Sequence, residues 1–279
     1  MDGIPSSDQA HTASGVPRTK PRLRLLVLVL AHIAIGLAAG GLATWFRRPP
    51  GVDLVIAVFV GIVFSQTSLL GIWGGLGTNP WWSRLIGVVV GVGSLGLLLG
   101  VGVGERASEE NYFIVSVATA LIIGVLLVVR CFRVRICVAT VDQAAARRIQ
   151  FTIRQLLVLT FAVACLVSLG KWLAPHLLNV NDPLMLTLIG LILATVGLLS
   201  VWPALGARHP VLPSLILTVV AAGVGFCFAQ FLPGPPGDVA SFWMTITSVE
   251  ALVLVASLVV VRSWGYRLVR LPSDRQGER

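Results

Sequence analysis

Glu250 stands in the middle of SFWMTITSVEALVLVASLVV, a run with no second charged residue, twelve residues before Arg262. An ionised carboxylate at the centre of a membrane-spanning helix costs at least about 2.5–3.5 kcal/mol on insertion scales, so such a residue faces protein or water rather than lipid. Two more polar side chains fall in apolar surroundings at a similar depth: His32, eight residues past Arg24, and Gln66, seven before Trp73. Gathered between helices, an imidazole, an amide and a carboxyl form a candidate intramembrane polar cluster. Such a cluster can relay a proton or hold a small polar substrate. The same groups can also serve only as interhelical hydrogen bonds, worth about 0.6 kcal/mol per contact, and the sequence favours that plainer use.

Other chemistry is not spelled out. There is no Gly-x-Ser-x-Gly nucleophile turn and no His-Glu-x-x-His zinc motif. Adjacent Glu109 and Glu110 would suit the Glu-Glu-x-x-x-Arg of CAAX-type intramembrane proteases, but Ile114 occupies the arginine position. Cys131 and Cys137 have the wrong spacing for zinc knuckles, and Cys165 and Cys227 lie in apolar runs as small apolar side chains. The expectation is no enzyme, no metal and no cofactor.

The elements that must position the polar trio are set by composition. The chain has 279 residues, 56% hydrophobic and 12% charged, with mean hydropathy +0.90; an ordinary soluble domain is about 45–50% apolar and about 25% charged. The excess lies in runs of roughly 20 residues, enough for a helix to cross about 30 Å of hydrocarbon. Inside lipid the backbone must pair with itself, which makes those runs helices. The fold class is therefore all-α, a polytopic transmembrane helix bundle. Eight spans are expected: Leu25–Phe46, Asp53–Gly75, Leu85–Val103, Tyr112–Val129, Gln155–Ala174, Leu184–Leu205, Leu212–Phe231 and Phe242–Val261. Small residues at Gly87, Gly91, Gly96, Gly100 and Gly104 give the third span a face that admits another backbone closely. Lys171 beside Trp172 reads as a snorkelling anchor.

The net charge of +9 is a topology signal and not a nucleic-acid footprint. With the N-terminus in the cytoplasm, every one of the 21 basic residues lies inside except Arg47, Arg48, Arg106 and Lys171, which the positive-inside rule reads as both termini cytoplasmic. The apolar run from Leu25 is too long for a cleaved signal sequence. The partners expected are the lipid bilayer and, at the cytoplasmic arginines, anionic headgroups.

The chain also repeats itself. A shift of 129 residues lays Asp53, Gly61, Trp73, Leu76 and Gly77 on Asp182, Gly190, Trp202, Leu205 and Gly206, and one further residue brings Pro80 onto Pro210. "VVR" ending at Arg130 echoes "VVR" ending at Arg262, and "LLVLVLA" from Leu25 echoes "LLVLTFA" from Leu156. Two units of four spans must point the same way, as parallel repeats about an axis along the membrane normal. The boundaries follow: a disordered cytoplasmic tail over 1–24, a first unit over 25–132, a basic linker over 133–154, a second unit over 155–264 and a basic tail over 265–279. Glu250 aligns with Ala118, so the acid belongs to one unit alone. Trp73, Gly77 and Pro80, with Trp202, Gly206 and Pro210, read as an interfacial hairpin motif. The indole sits at headgroup depth, the glycine ends the helix in a left-handed conformation, and the proline precedes the next helix.

The segment QFTIRQLLVLTFAVACLVSLGKWL, Gln150 to Leu173, has an aromatic, a Thr, an Ile and an Arg leading into a leucine-rich span. That phrase and the Trp-x-x-Leu-Gly hairpins resemble uncharacterised multi-spanning membrane proteins of planctomycete bacteria. The resemblance implies a bacterial inner-membrane location and carries no activity or functional residue. Two readings of function remain: a structural or interaction protein of that membrane, which is preferred, and a small-molecule or proton-coupled transporter or channel with its path between the repeats. A transporter should show broken helices at mid-membrane, and no span but the glycine-rich third carries a strong Gly/Pro interruption.

Overall fold

A computed structural model describes residues 21–45, 52–77, 79–103, 109–131, 134–138, 183–206, 210–232 and 235–270. The expected fifth span, Gln155–Ala174, residues 1–20 and 271–279 and most of the basic linker lie outside the described residues. Within them run seven helices: α1 (Pro21–Trp45), α2 (Val52–Leu76), α3 (Trp81–Val103), α4 (Glu109–Cys131), α5 (Pro183–Val201), α6 (Val211–Ala229) and α7 (Pro236–Ser263). Six of these, α2 to α7, are long and apolar enough to cross a membrane; the apolar part of α1, Val27–Leu42, is shorter. These are the helices of an integral membrane protein.

The helix starts follow local chemistry. α7 begins six residues earlier than the hydropathy suggests because Pro235 and Pro236 open it, where a missing N–H costs little, with Asp238 in the first turn facing the positive end of the helix dipole. α5 ends differently from α2, though both carry the Trp-x-x-Leu-Gly phrase. Pro203 occupies the place that Gly74 holds in α2, cannot donate to the preceding turn, and the last residues widen into a π-helical turn, Trp202–Gly206.

α2 is the centre of the bundle, packed against α1, α3, α4, α5 and α7, while α4 also packs on α5 and α7 on both α5 and α6. Ala57, Val63, Val115, Leu193 and Ile246 form the dry middle. In lipid there is no hydrophobic drive between helices, so close van der Waals contact holds such a bundle together. The outer faces of α1, α3 and α6 carry exposed leucine, valine and isoleucine side chains, as lipid contact requires. Four glycines of α3 serve packing within the bundle: Gly87 lies under the Trp73 indole, Gly91 under Leu70, Gly102 against Phe59 and Gly96 against Tyr112.

The C-terminal ends of α2, α4, α5 and α7 gather at one end of the bundle. Arg130 Nη1 at the end of α4 donates to the carbonyls of Gly75 and Gly77 (both 3.5 Å), and Arg262 Nη1 at the end of α7 donates to Ala204 O (3.1 Å). Each guanidinium satisfies carbonyls that a helix end leaves open, and meets the negative end of its dipole. Arg84 at the start of α3 adds a bond to Gly74 O at 2.8 Å. Just beyond, β1 (Val134–Val138) and β2 (Tyr266–Arg270) form an antiparallel two-stranded ribbon with Ile136 opposite Leu268. The bundle itself is all-α; the ribbon is an addition at this, the ribbon end, drawn from the segments taken as basic linker and tail.

Neither hairpin glycine ends its helix as expected. The glycine with positive φ among the described residues is Gly265 (φ 92°), which closes α7 with its N–H bonded to Arg262 O at 2.9 Å. Gly77 instead keeps helical continuity, its N–H bonded to Trp73 O at 2.9 Å, and is needed because a Cβ there would collide with that carbonyl. Gly206 lies in the π-helical turn.

Candidate functional site

The three polar residues singled out at mid-membrane are held by α1, α2 and α7, and they form two separate contacts instead of one cluster. His32 on α1 and Gln66 on α2 are brought together: the Gln66 amide donates to the His32 backbone carbonyl at 2.8 Å. Gly36 makes this approach possible, since a Cβ there would stand 3.0 Å from the amide nitrogen. The imidazole itself turns away. Its Nδ1 bonds Leu28 O at 2.8 Å, one helical turn back, and its Nε2 lies 2.8 Å from Ser257 Oγ on α7. A carbonyl only accepts, so Nδ1 carries the hydrogen and Nε2 is the acceptor in the neutral ring. Ser257 Oγ also lies 2.7 Å from Val253 O. Its one hydrogen therefore serves two acceptors in turn.

Glu250 lies seven residues from Ser257 on α7, about 10 Å along the helix at 1.5 Å per residue. It is fully buried. Its Oε1 accepts a hydrogen bond from Ser68 Oγ of α2 at 2.8 Å, and its Oε2 is buried with no hydrogen-bond partner among the described residues. Ser68 was not singled out in the sequence, because a serine in an apolar helix most often bonds its own preceding turn. Ser65, Ser94 and Ser200 do so here. The only hint in the sequence is that Ser68 lies on a helix with Gln66, another polar residue at that depth.

The walls around this carboxyl are tight. A Cβ on Gly61 of α2 would lie 2.8 Å from Ile246 O and 2.9 Å from Val249 Cβ of α7. A Cβ on Gly197 of α5 would lie 2.5 Å from Ser68 Oγ and 3.0 Å from Ser68 Cβ. Three backbones thus close around Ser68 and Glu250. One turn toward the other end, Thr247 Oγ1 donates to Ala221 O of α6 at 2.8 Å, tying α7 outward as Glu250 ties it inward. An open space lies away from Glu250, on the outer side of α5 and α6, and is lined by apolar residues. No cluster of three or more metal-ligating side chains occurs among the described residues.

The hairpin residues lie at the ribbon end. Trp73 and Trp202 are both partly exposed there, and Pro80 and Pro210 immediately precede α3 and α6. Pro210 O accepts from the Ser214 backbone N–H at 3.0 Å, and Pro80 O from Arg84 N at 3.3 Å, so each proline opens its helix. These residues lie where α2 and α5 end and α3 and α6 begin, and present no reactive group. No protein-family model, curated protein or solved structure matches the chain.

Proposed function

We propose that the chain is a bacterial inner-membrane protein with a structural or interaction role, built of two parallel four-span units with the ribbon end in the cytoplasm. The observation that carries the role is the closure around Glu250: a fully buried carboxyl, held by one serine and walled by helices that approach at glycine. A translocation path needs water or substrate to reach such a group; a packing device does not.

Several contacts support the duplication. The shifts of 129 and 132 residues that lay Gly75 on Ala204 and Arg130 on Arg262 also lay one arginine-to-carbonyl bond on the other. Gly61 approaches Val249 as Gly190 approaches Val117, and those four positions exchange under the same shifts of 129 and 132 residues. α2 packs on α7 as α5 packs on α4. β1 and β2 are themselves equivalents, and Ile136 faces its own equivalent, Leu268. That is what a two-fold axis through the ribbon produces. Near this axis Ser68 meets Gly197, its own equivalent. The arginines gathered at the ribbon end favour a cytoplasmic ribbon end under the positive-inside rule.

A second reading, a proton-coupled or small-molecule path between the units, is favoured by one atom, the buried and unpaired Glu250 Oε2. Aqueous access decides between them. Glu250→Cys, in a chain lacking its four native cysteines, is expected to resist a membrane-impermeant thiol reagent from both sides, as Leu252→Cys does on the lipid face. Labelling at 250 from one side only, with 252 silent, would replace the structural reading with the transport one.

A further inference from the structure

Between α5 and α6 runs an open apolar groove with about 430 Å³ of free space, lined by Leu188, Ile192, Val220, Val224, Phe228 and Phe231. In the other half the equivalent trough, between α2 and α3, is filled by α1. There a Cβ on Gly36 would lie 3.0 Å from Gln66 and 3.2 Å from Leu98, and a Cβ on Gly40 would lie 3.3 Å from Phe59. The repeat shift carries Phe59 onto Leu188 and Leu98 onto Phe228, both of which line the groove. It carries Gln66 onto Thr195, which is exposed and has its hydroxyl folded back onto Leu191 O at 2.8 Å.

Chain continuity supplies the occupant. β1 ends at Val138 at the ribbon end, whereas α5 begins at Pro183 at the opposite end, since α5 and its terminal turn run from Pro183 to Gly206 beside the ribbon. That length is roughly 36 Å at 1.5 Å per residue. Residues 139–182 must therefore carry the chain across the bundle's full thickness. They contain one apolar run long enough to do so, Gln155–Ala174.

We propose that Gln155–Ala174 crosses the membrane seated in the groove between α5 and α6, completing the second unit as α1 completes the first. The crossing follows from continuity; the seat rests on the repeat reading. The side chains exchange size in the right sense. Where Gly36 makes room for the long Gln66, Val167 stands over the shorter Thr195; where His32 bonds Ser257, the equivalents are Val163 and Val125, an apolar pair. The seat buries the apolar side of α6 at Val220 and Val224.

Disulfide crosslinking in the full chain, freed of its native cysteines, tests the seat. Val167→Cys with Thr195→Cys is expected to link within one chain, and Leu169→Cys with Thr195→Cys, on the far face of the segment, is not. A link at 167–195 formed only between two chains would give the groove to a second copy and overturn the proposal, as would no link at all. Ile136→Cys with Leu268→Cys reads the repeat separately. Its failure beside a 167–195 link would remove the two-fold and leave the seat, while its success without the 167–195 link would keep the repeat and discard the seat. Should the paired variants not accumulate, single cysteines decide: Val224→Cys in the groove is expected to react several-fold more slowly with a lipid-soluble thiol reagent than Val219→Cys on the exposed face. Equal rates would overturn the proposal.

Discussion

Gly61→Leu prevents α7 from seating on α2, and the protein no longer accumulates in a folded form. The first new carbon alone would lie 2.8 Å from Ile246 O. That atom is backbone inside a helix and cannot rotate aside, unlike the end of a flexible side chain. Overpacking of this kind costs about 1–3 kcal/mol when relief is partial and more when it is not. Folded domains retain only about 5–15 kcal/mol in total. Gly61→Ala is the graded version, and at about 2–4 °C per kcal/mol for a chain of this size it lowers the unfolding midpoint by roughly 2–12 °C. Gly93→Ala on α3, where a Cβ meets nothing within 4 Å, leaves the midpoint in place or raises it slightly, because alanine is the better helix former. The monodisperse yield in detergent reads Gly61→Leu, and heating the purified parent, Gly61→Ala and Gly93→Ala in detergent reads the other two. A Gly61→Leu protein as stable as its parent would mean that α2 and α7 do not meet at this point.

The second large effect is an inversion of the usual order of severity. Ser68→Ala removes one hydroxyl, yet it strips Glu250 of its donor and leaves both carboxyl oxygens buried without a partner among the described residues. The desolvation left unanswered costs about 1–3 kcal/mol. Glu250→Leu looks more drastic but removes the buried polar group itself. Ser68 is then free to bond its own preceding turn, as Thr67 bonds Val63 O at 3.0 Å. Under the proposed repeat the equivalent pair is apolar, with Gly197 in the place of Ser68 and Ala118 in the place of Glu250. Ser68→Ala is therefore expected to be less stable than Glu250→Leu, and the double variant to match Glu250→Leu. Denaturation of the three variants completes a double-mutant cycle. If Glu250→Leu is the worst of the three, the carboxyl does more than accept a bond from Ser68.

What could be read in the sequence was whatever depends on a run of residues. Apolar stretches of spanning length became helices because lipid leaves the backbone no other partner. The phrases around Trp73 and Trp202 mark turns at one end of the bundle because proline and glycine act locally. Which helices touch depends instead on side chains far apart in the chain, and there single residues mislead. His32, Gln66 and Glu250 read as one depth by counting residues, but counting fixes neither tilt nor azimuth: the His32 imidazole reaches Ser257, about 10 Å along α7 from Glu250, so two of the three meet and the third finds Ser68. Pro203 was visible, but its widening of the last turn of α5 shows only against the straight end of α2. The ribbon escaped because VRICV and YRLVR are five residues each, too short for period-two alternation to stand out from a basic loop.

That ribbon also sets an order in time. Tyr266 is made 132 residues after Val134, which at about 5–20 residues per second is a wait of roughly 7–26 s. Throughout it β1 stands as an unpaired edge, able to recruit any strand that passes, including the β1 of a neighbouring nascent chain. A synthesis that stalls after α7 but before residue 266 would leave a bundle with all its described helices inserted and an open edge at one end. A strand made long after β1 is thus what renders β1 inert toward its neighbours.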